Sequence, residues 1–382
     1  MAAFAKQPGI ELRIVAPVPY YPPVKVGARS KYRQVVEKEL CEGIEVTHPR
    51  YLLTPKIGMS LYGISLCLSV LSHVKHIQRT FDFDVIDSHF VYPDGFAAVL
   101  LGAILGRPVT ISARGSDVNV YKNMFLIPRL LRYALEKADR VIAVSQALAT
   151  AISDLGIRSG KIAVIPNGVD CGKFYPEDPA EMKKRLGYGG EHLVLSVGHL
   201  TVNKGFDILL RALKIIRDRK EELCPHLAII GDGPIRGDLE VLARALGLEH
   251  LVRFVGAVPH GELRAWYNAA DLFCLASERE GWPNVVGEAL ACGTPVVATR
   301  AGGIPEIVNA SSLGILTDRT PLAFAESIAE ALARQWDRET IVEAARRRSW
   351  DHAAKDLRTV FDSVREEHNH LNSVRYASAA GT

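Results

Sequence analysis

The sequence predicts an α/β protein of two doubly wound domains, each a mainly parallel sheet with helices on both faces. Three observations lead there. Short apolar runs alternate with helical patterns along most of the chain, as repeated βα units require. At 382 residues the chain is long for one hydrophobic core. Turn residues recur at the ends of the apolar runs, where open α/β sheets bind their ligands.

In the first half, strands are expected at 11–16, 43–47, 85–88, 109–113, 140–144 and 161–165. Helical patterns fall at 60–78, 95–105, 125–136 and 146–155. The most apolar segment, 59–74, is broken by Ser60, Ser65, Ser69, Ser72 and His73 and is too short to span a bilayer. It reads as a buried helix. Turn chemistry at Pro166-Asn-Gly-Val-Asp170 closes this half, and the rigid, polar segment 175–179 follows. The domain boundary is placed between Asn167 and Pro179, giving domains 1–170 and 171–345.

The second half is more regular. Strands are expected at 192–198, 227–231, 252–258, 272–276, 295–299 and 314–316. Helices are expected at 204–219, 236–246, 262–270, after Pro283, near 304–308 and from Pro321. A last helix, 350–364, lies beyond the final strand, and the segment 346–382 is placed back toward the first domain.

Composition bounds the function classes. Hydrophobic residues at 48% and charged ones at 23% describe an ordinary globular chain. A net charge of +3 is too balanced to argue for a nucleic-acid partner. Arg346, Arg347 and Arg348 read as a solvated helix face, with weak attraction to anionic lipid as the alternative. The six cysteines form no C-x-x-C pair, so neither a zinc site nor a disulfide framework is indicated, and they read as reduced thiols. The first residues lack the features of a signal peptide. A cytoplasmic protein is expected, with peripheral contact at the inner face of a membrane left open.

Four expected strand ends carry short motifs and converge on one rim: Ser196-Val-Gly-His199, Gly231-Asp-Gly-Pro234, Gly256-Ala-Val-Pro259 and Ser277-Glu-Arg-Glu280. The run from Glu280 to Glu288 sets two carboxylates either side of a helix start marked by Pro283 and Asn284, with Gly293 as the stop. The backbone N–H groups of a helix start favour a phosphate or diphosphate. Taken alone, two glutamates at this spacing are more often solvated surface charges. Asp82-Phe-Asp84 has the form of a metal-binding D-x-D, but it precedes a strand and reads as the cap of a helix–strand joint. No metal is expected.

The chain resembles the retaining GT-B glycosyltransferases of family 4. The resemblance is carried by Arg140-Val-Ile-Ala-Val-Ser145, Val164-Ile-Pro-Asn-Gly-Val-Asp170 and Ser196-Val-Gly-His-Leu200 with Asn203-Lys-Gly205. It continues through Ile230-Gly-Asp-Gly-Pro234, Val252-Arg-Phe-Val-Gly256, the Glu280–Glu288 run, Gly293-Thr-Pro-Val-Val-Ala298 and Gly302-Gly-Ile-Pro-Glu306. These motifs cover nearly the whole chain in the family's order. The resemblance implies that Glu288 accepts the ribose hydroxyls of a nucleotide sugar and that Glu280 contacts the transferred sugar. It places the backbone at Gly281, Trp282, Asn284 and Val285 against sugar and diphosphate, and sets Lys204 against the departing diphosphate. Gly198, His199, Gly233 and Val258 complete the donor contacts. The nucleotide sugar is a co-substrate, and no cofactor is implied. Glu280, Lys204 and Arg114 are the implied catalytic residues, and His89 and Asp117 the acceptor-side ones; a structural role for His89 is an equal alternative.

Three departures from the family pattern stand out. His199 replaces an arginine that would pair with the lysine on the diphosphate, and Arg114 replaces a histidine facing the donor sugar. The segment 1–9 reads like the tail of a first helix, so the family's first strand, its glycine-rich loop and most of that helix are expected to be missing. Truncation of the N-terminal domain is the hypothesis this suggests. Phe90-Val-Tyr-Pro-Asp-Gly95 with Ala113-Arg-Gly-Ser-Asp-Val-Asn119 resembles the branch acting on cell-surface polysaccharides such as teichuronic acid. The function implied is retaining transfer from a UDP or GDP sugar to a hydroxyl of a glycan, lipid-linked or small-molecule acceptor, in cell-envelope biosynthesis. A catalytically impaired nucleotide-sugar binder and a sugar-nucleotide epimerase of the same fold are the alternatives. Base, sugar, acceptor and oligomeric state stay open.

Overall fold

The computed structural model describes residues 1–20, 34–52, 59–115, 126–219 and 224–380. Its contacts divide the chain into two compact units, Met1–Ile165 with Ala353–Thr382, and Pro166–His352. The chain therefore passes between units twice, first just upstream of the expected boundary and again inside the last helix.

The first unit carries nine short strands among its described residues: β1 (Ile14–Val15), β2 (Val18–Tyr20), β3 (Lys38–Cys41), β4 (Ile44–Thr47), β5 (Arg50–Leu52), β6 (Ile86–His89), β7 (Val109–Ala113), β8 (Arg140–Ala143) and β9 (Ile162–Val164). The main sheet runs β6-β7-β8-β9, all parallel. Every residue of β7 is buried, as expected of a central parallel strand covered on both faces. The apolar segment near residue 60 forms the helix Tyr62–Thr80, and its Leu66, Cys67 and Val70 pack against Ala97 and Leu101 of the helix Phe96–Leu105. Its serine-interrupted pattern is that of one buried face, with Ile64 and Leu68 on the exposed side. Among the described residues no helix is long and apolar enough to cross a membrane.

The remaining strands form two smaller sheets, β1-β4-β3 and β2-β5. The expected strand at 11–16 shrinks to two paired residues, and β2, β3 and β5 are additions. Their signals are weak because β3 is exposed along its whole length and β2 contains Pro19. Among the described residues β1 pairs with β4 and β6 with β7, each in parallel. The helix Trp350–Ala380 outruns its expected end, and from residue 353 it belongs to this unit. Phe361 meets the Phe4 ring edge-on at 5.3 Å, Arg358 donates to the Pro8 carbonyl at 2.6 Å, and Glu367 pairs with Arg140.

The second unit is one parallel sheet of six strands: β10 (Leu193–Val197), β11 (His226–Ile230), β12 (Val252–Gly256), β13 (Leu272–Leu275), β14 (Val296–Thr299) and β15 (Gly314–Thr317). Their spatial order is β12-β11-β10-β13-β14-β15. This is the 3-2-1-4-5-6 order of a doubly wound sheet, which reverses its direction of growth between β10 and β13. Alternate side chains feed opposite faces: Leu193, Leu195, Phe273 and Leu275 enter one core, whereas Val194, Leu272 and Cys274 enter the other. Buried on both sides, these strands are near-continuous apolar runs, which is what made them visible in the sequence.

Candidate active site

Open α/β sheets bind ligands beyond the carboxyl ends of their strands, at the point where the strand order reverses. Here that point lies beyond Val197 of β10 and Leu275 of β13. After β10 the chain makes a 3-10 turn, Val202–Lys204, and enters the helix Phe206–Asp218 through Gly205 at φ +66°. A Cβ on Gly205 would lie 2.3 Å from the Ala276 carbonyl oxygen, so only glycine lets the two loops approach this closely.

That approach brings Lys204 Nζ within 2.6 Å of Glu280 Oε1. Ser277 Oγ donates to the same oxygen at 2.6 Å. The Glu280 side chain is only 11% exposed, so the carboxylate depends on these two partners. The loops are tied further by the Glu278 N–H to the Asn203 carbonyl at 2.8 Å and by Asn203 Nδ2 to the Arg279 carbonyl at 3.0 Å. Arg319 spans both loops, donating from Nε to Ala276 O at 3.0 Å and from Nη2 to Val202 O at 3.3 Å. On the other side the backbone at Gly302 packs directly on Glu280: a Cβ there would overlap the Glu280 carbonyl oxygen at 1.8 Å.

The helix Asn284–Ala291 starts after Pro283 and buries Glu288. Tyr267 donates its hydroxyl to Glu288 Oε2 at 2.9 Å, and His260 Nε2 lies 3.0 Å from Oε1. Burial, and after it the Glu288 charge, raises the Tyr267 phenol well above its usual pKa, so it remains a neutral donor. Of the two expected carboxylates, Glu280 thus precedes the helix and Glu288 lies one turn inside it, each held by donors. At the helix start Asn167 Nδ2 donates to Asn284 Oδ1 at 3.0 Å, and the Arg348 guanidinium stands 5.4 Å from the Trp282 ring centre.

Four other expected residues, Gly198, His199, Gly233 and Val258, line one open groove over the ends of β10, β11 and β12. His199 Nδ1 is 2.6 Å from the Asp232 carbonyl, an arrangement that places the proton on Nδ1 and leaves Nε2 an acceptor while the ring is neutral.

In the first unit, His89 ends β6 and Arg114 follows β7 directly. Arg114 Nη2 donates to His89 Nδ1 at 2.5 Å. His89 Nε2 lies 3.1 Å from Asp87 Oδ2, and Asp87 Oδ1 accepts from Thr110 Oγ1 at 2.7 Å. The His89 side chain is 38% exposed, which is more open than a core histidine. Asp117 lies outside the described residues, as does most of the segment 113–119. Asp82 is largely exposed and pairs with Arg107. Among the described residues no group of three metal-ligating side chains occurs. Sequence reasoning missed His260, Tyr267, Asn203 and Arg319 as supports of the site, because each reaches its partner across a distant stretch of chain.

The profile described as Glycosyl transferases group 1 matches residues 177–348, and that described as Glycosyltransferase Family 4 matches residues 6–173. A Bacillus subtilis protein named as a teichuronic acid biosynthesis glycosyltransferase, TuaC, is 31% identical over 332 residues, covering 84% of this chain and 80% of its own. A D-inositol 3-phosphate glycosyltransferase of Actinosynnema mirum is 34% identical over 313 residues, covering 74% and 73%. Among solved structures, Anabaena Alr3699/HepE in complex with UDP and glucose superposes with a TM-score of 0.70 at 24% identity, covering 84% of this chain and 87% of that one. At that identity the likeness is one of fold.

Proposed function

We propose that this chain, which belongs to the group 1 glycosyl transferases (glycosyltransferase family 4), transfers a sugar from a nucleoside diphosphate sugar to an acceptor hydroxyl with retention of anomeric configuration. One observation carries the proposal: the 2.6 Å Lys204–Glu280 pair at the switch point of the second unit, with Glu288 one turn inside the helix that follows. The bond to be broken joins a sugar carbon to a phosphate oxygen. A cation for the phosphate and a carboxylate for the sugar hydroxyls must therefore be neighbours, as Lys204 and Glu280 are.

In this reading Glu288 accepts the ribose hydroxyls, and the N–H groups of Trp282, Asn284 and Val285 face the diphosphate. Lys204 has three donor positions, so it can keep Glu280 and still donate to the leaving phosphate. Positive charge at the leaving group comes from lysine and helix start, which makes a metal unnecessary. Glu280 steadies the sugar as positive charge develops at its ring. The diphosphate leaves from the face the acceptor approaches, its oxygen taking the acceptor proton. His89, Arg114 and Asp117 serve the acceptor side, where Arg114 suits an acidic group. A UDP or GDP sugar is the proposed donor and a cell-surface glycan the proposed acceptor, the latter supported by the teichuronic acid relative. A cytoplasmic location with peripheral membrane contact completes the proposal.

The test is turnover of UDP and GDP sugars by the purified protein with and without acceptors, followed by nucleoside diphosphate release and product mass. Measurable release is expected, undiminished by EDTA, and reduced by about 10²-fold or more in Glu280→Ala. Nucleotide binding without turnover would support the impaired binder instead, and conversion without change of mass would support an epimerase.

A further inference from the structure

Glu288 is 8% exposed, and a carboxylate so deeply set needs donors from its surroundings. It has two, drawn from one short stretch of chain. Tyr267 lies in the helix Leu263–Ala269, and His260 lies in the turn just before it. The Phe174 ring stands edge-on to both, 5.0 Å from His260 and 5.8 Å from Tyr267, so packing holds the two donors in place.

Each carboxylate oxygen offers two lone-pair directions. Tyr267 occupies one on Oε2 and His260 one on Oε1. One acceptor position then remains on each oxygen, and two adjacent acceptors with fixed direction fit two vicinal hydroxyls. The two donors differ in exposure. Tyr267 is fully buried, whereas the His260 side chain is 59% exposed and forms the outer edge of the carboxylate's surroundings. Without His260, the Oε1 side of Glu288 would be free to rotate or to bind water.

We infer that His260 is a positioning residue that sets the nucleotide site's preference for ribose over 2′-deoxyribose. By donating from Nε2 to Glu288 Oε1 it fixes the carboxylate plane, so that loss of one hydroxyl from the ligand leaves a buried acceptor unpaired. A site built to bond a hydroxyl rejects the analogue that lacks it for this reason. The inference rests on the reading of Glu288 as the ribose carboxylate.

Titration calorimetry with UDP, GDP and their 2′-deoxy counterparts, on the wild type and on His260→Ala and His260→Gln, tests it. The wild type is expected to favour the ribonucleotide by about 10-fold or more, the scale of one hydrogen bond to a charged acceptor. In His260→Ala the ribonucleotide weakens while the deoxynucleotide changes little, so the ratio falls toward one. His260→Gln, whose amide nitrogen can replace Nε2, restores most of the ratio. An unchanged ratio in His260→Ala, or equal weakening of both ligands, overturns the inference. Absence of nucleotide binding by the wild type instead overturns the donor-site reading on which it stands.

Discussion

Lys204 and Glu280, on which the proposed chemistry turns, are also each other's structural partners. Their side chains are 23% and 11% exposed, so removing one leaves the other partly buried without its counter-charge. Lys204→Met is therefore expected to cost about 1–3 kcal/mol of stability, read by chemical denaturation, as well as most of the turnover. A variant with full stability and full turnover would show that the pair is an ordinary surface contact. At this scale the candidate site was partly legible. Glu280 and Glu288 stood out by type and spacing and Lys204 through the family resemblance; Lys204 and Glu280 lie in the loops after β10 and β13, and Glu288 in the helix that follows. Ser277, Tyr267 and His260 were opaque as partners, because a hydrogen bond between residues 260 and 288 leaves no periodic trace. His199 was legible as a departure, and its bond to the Asp232 carbonyl adds what sequence could not: which ring nitrogen carries the proton.

The elements of the second unit were almost wholly readable, since strands buried on both faces must be apolar throughout and their helices must be amphipathic. Two helices escaped, Pro179–Arg185 and Arg338–Arg346. The first carries its own signature: Asp178 caps it by accepting the Glu181 N–H at 2.8 Å, and Pro179 occupies the first turn. Read as a rigid linker, the same Asp-Pro pair concealed a helix start. The small strands of the first unit were illegible for the opposite reason, as exposed or proline-containing edges lack the alternation that marks a strand. The loop at Gly205 offers the sharpest element-scale test. Gly205→Ala introduces a Cβ both at φ +66° and 2.3 Å from the Ala276 oxygen, so the loop after β10 must shift and carry Lys204 with it. A loss of about 1–3 kcal/mol is expected, accompanied by a fall in turnover larger than that in a neighbouring Val202→Ala control. Equal turnover in the two variants would separate the loop's geometry from the chemistry.

For the molecule as a whole, length and βα alternation were enough to expect two doubly wound sheets. The second unit has the full six-strand order, and the first has its four-strand core beside two smaller sheets. What alternation could not convey was strand order, which depends on how crossovers run, and hence the place where the order reverses. That reversal between β10 and β13 turns a set of separate motifs into one site. Central to the proposed function is the binding of a nucleoside diphosphate sugar at this site through Glu288. Titration calorimetry of UDP, GDP and ADP sugars against the wild type and Glu288→Gln tests it most directly, since the amide keeps the size of the side chain while losing its charge. At least one donor is expected to bind the wild type, with an affinity that falls by about 10-fold or more in the variant. Equal affinity in the two proteins, or no binding by the wild type to any of the three, would contradict it.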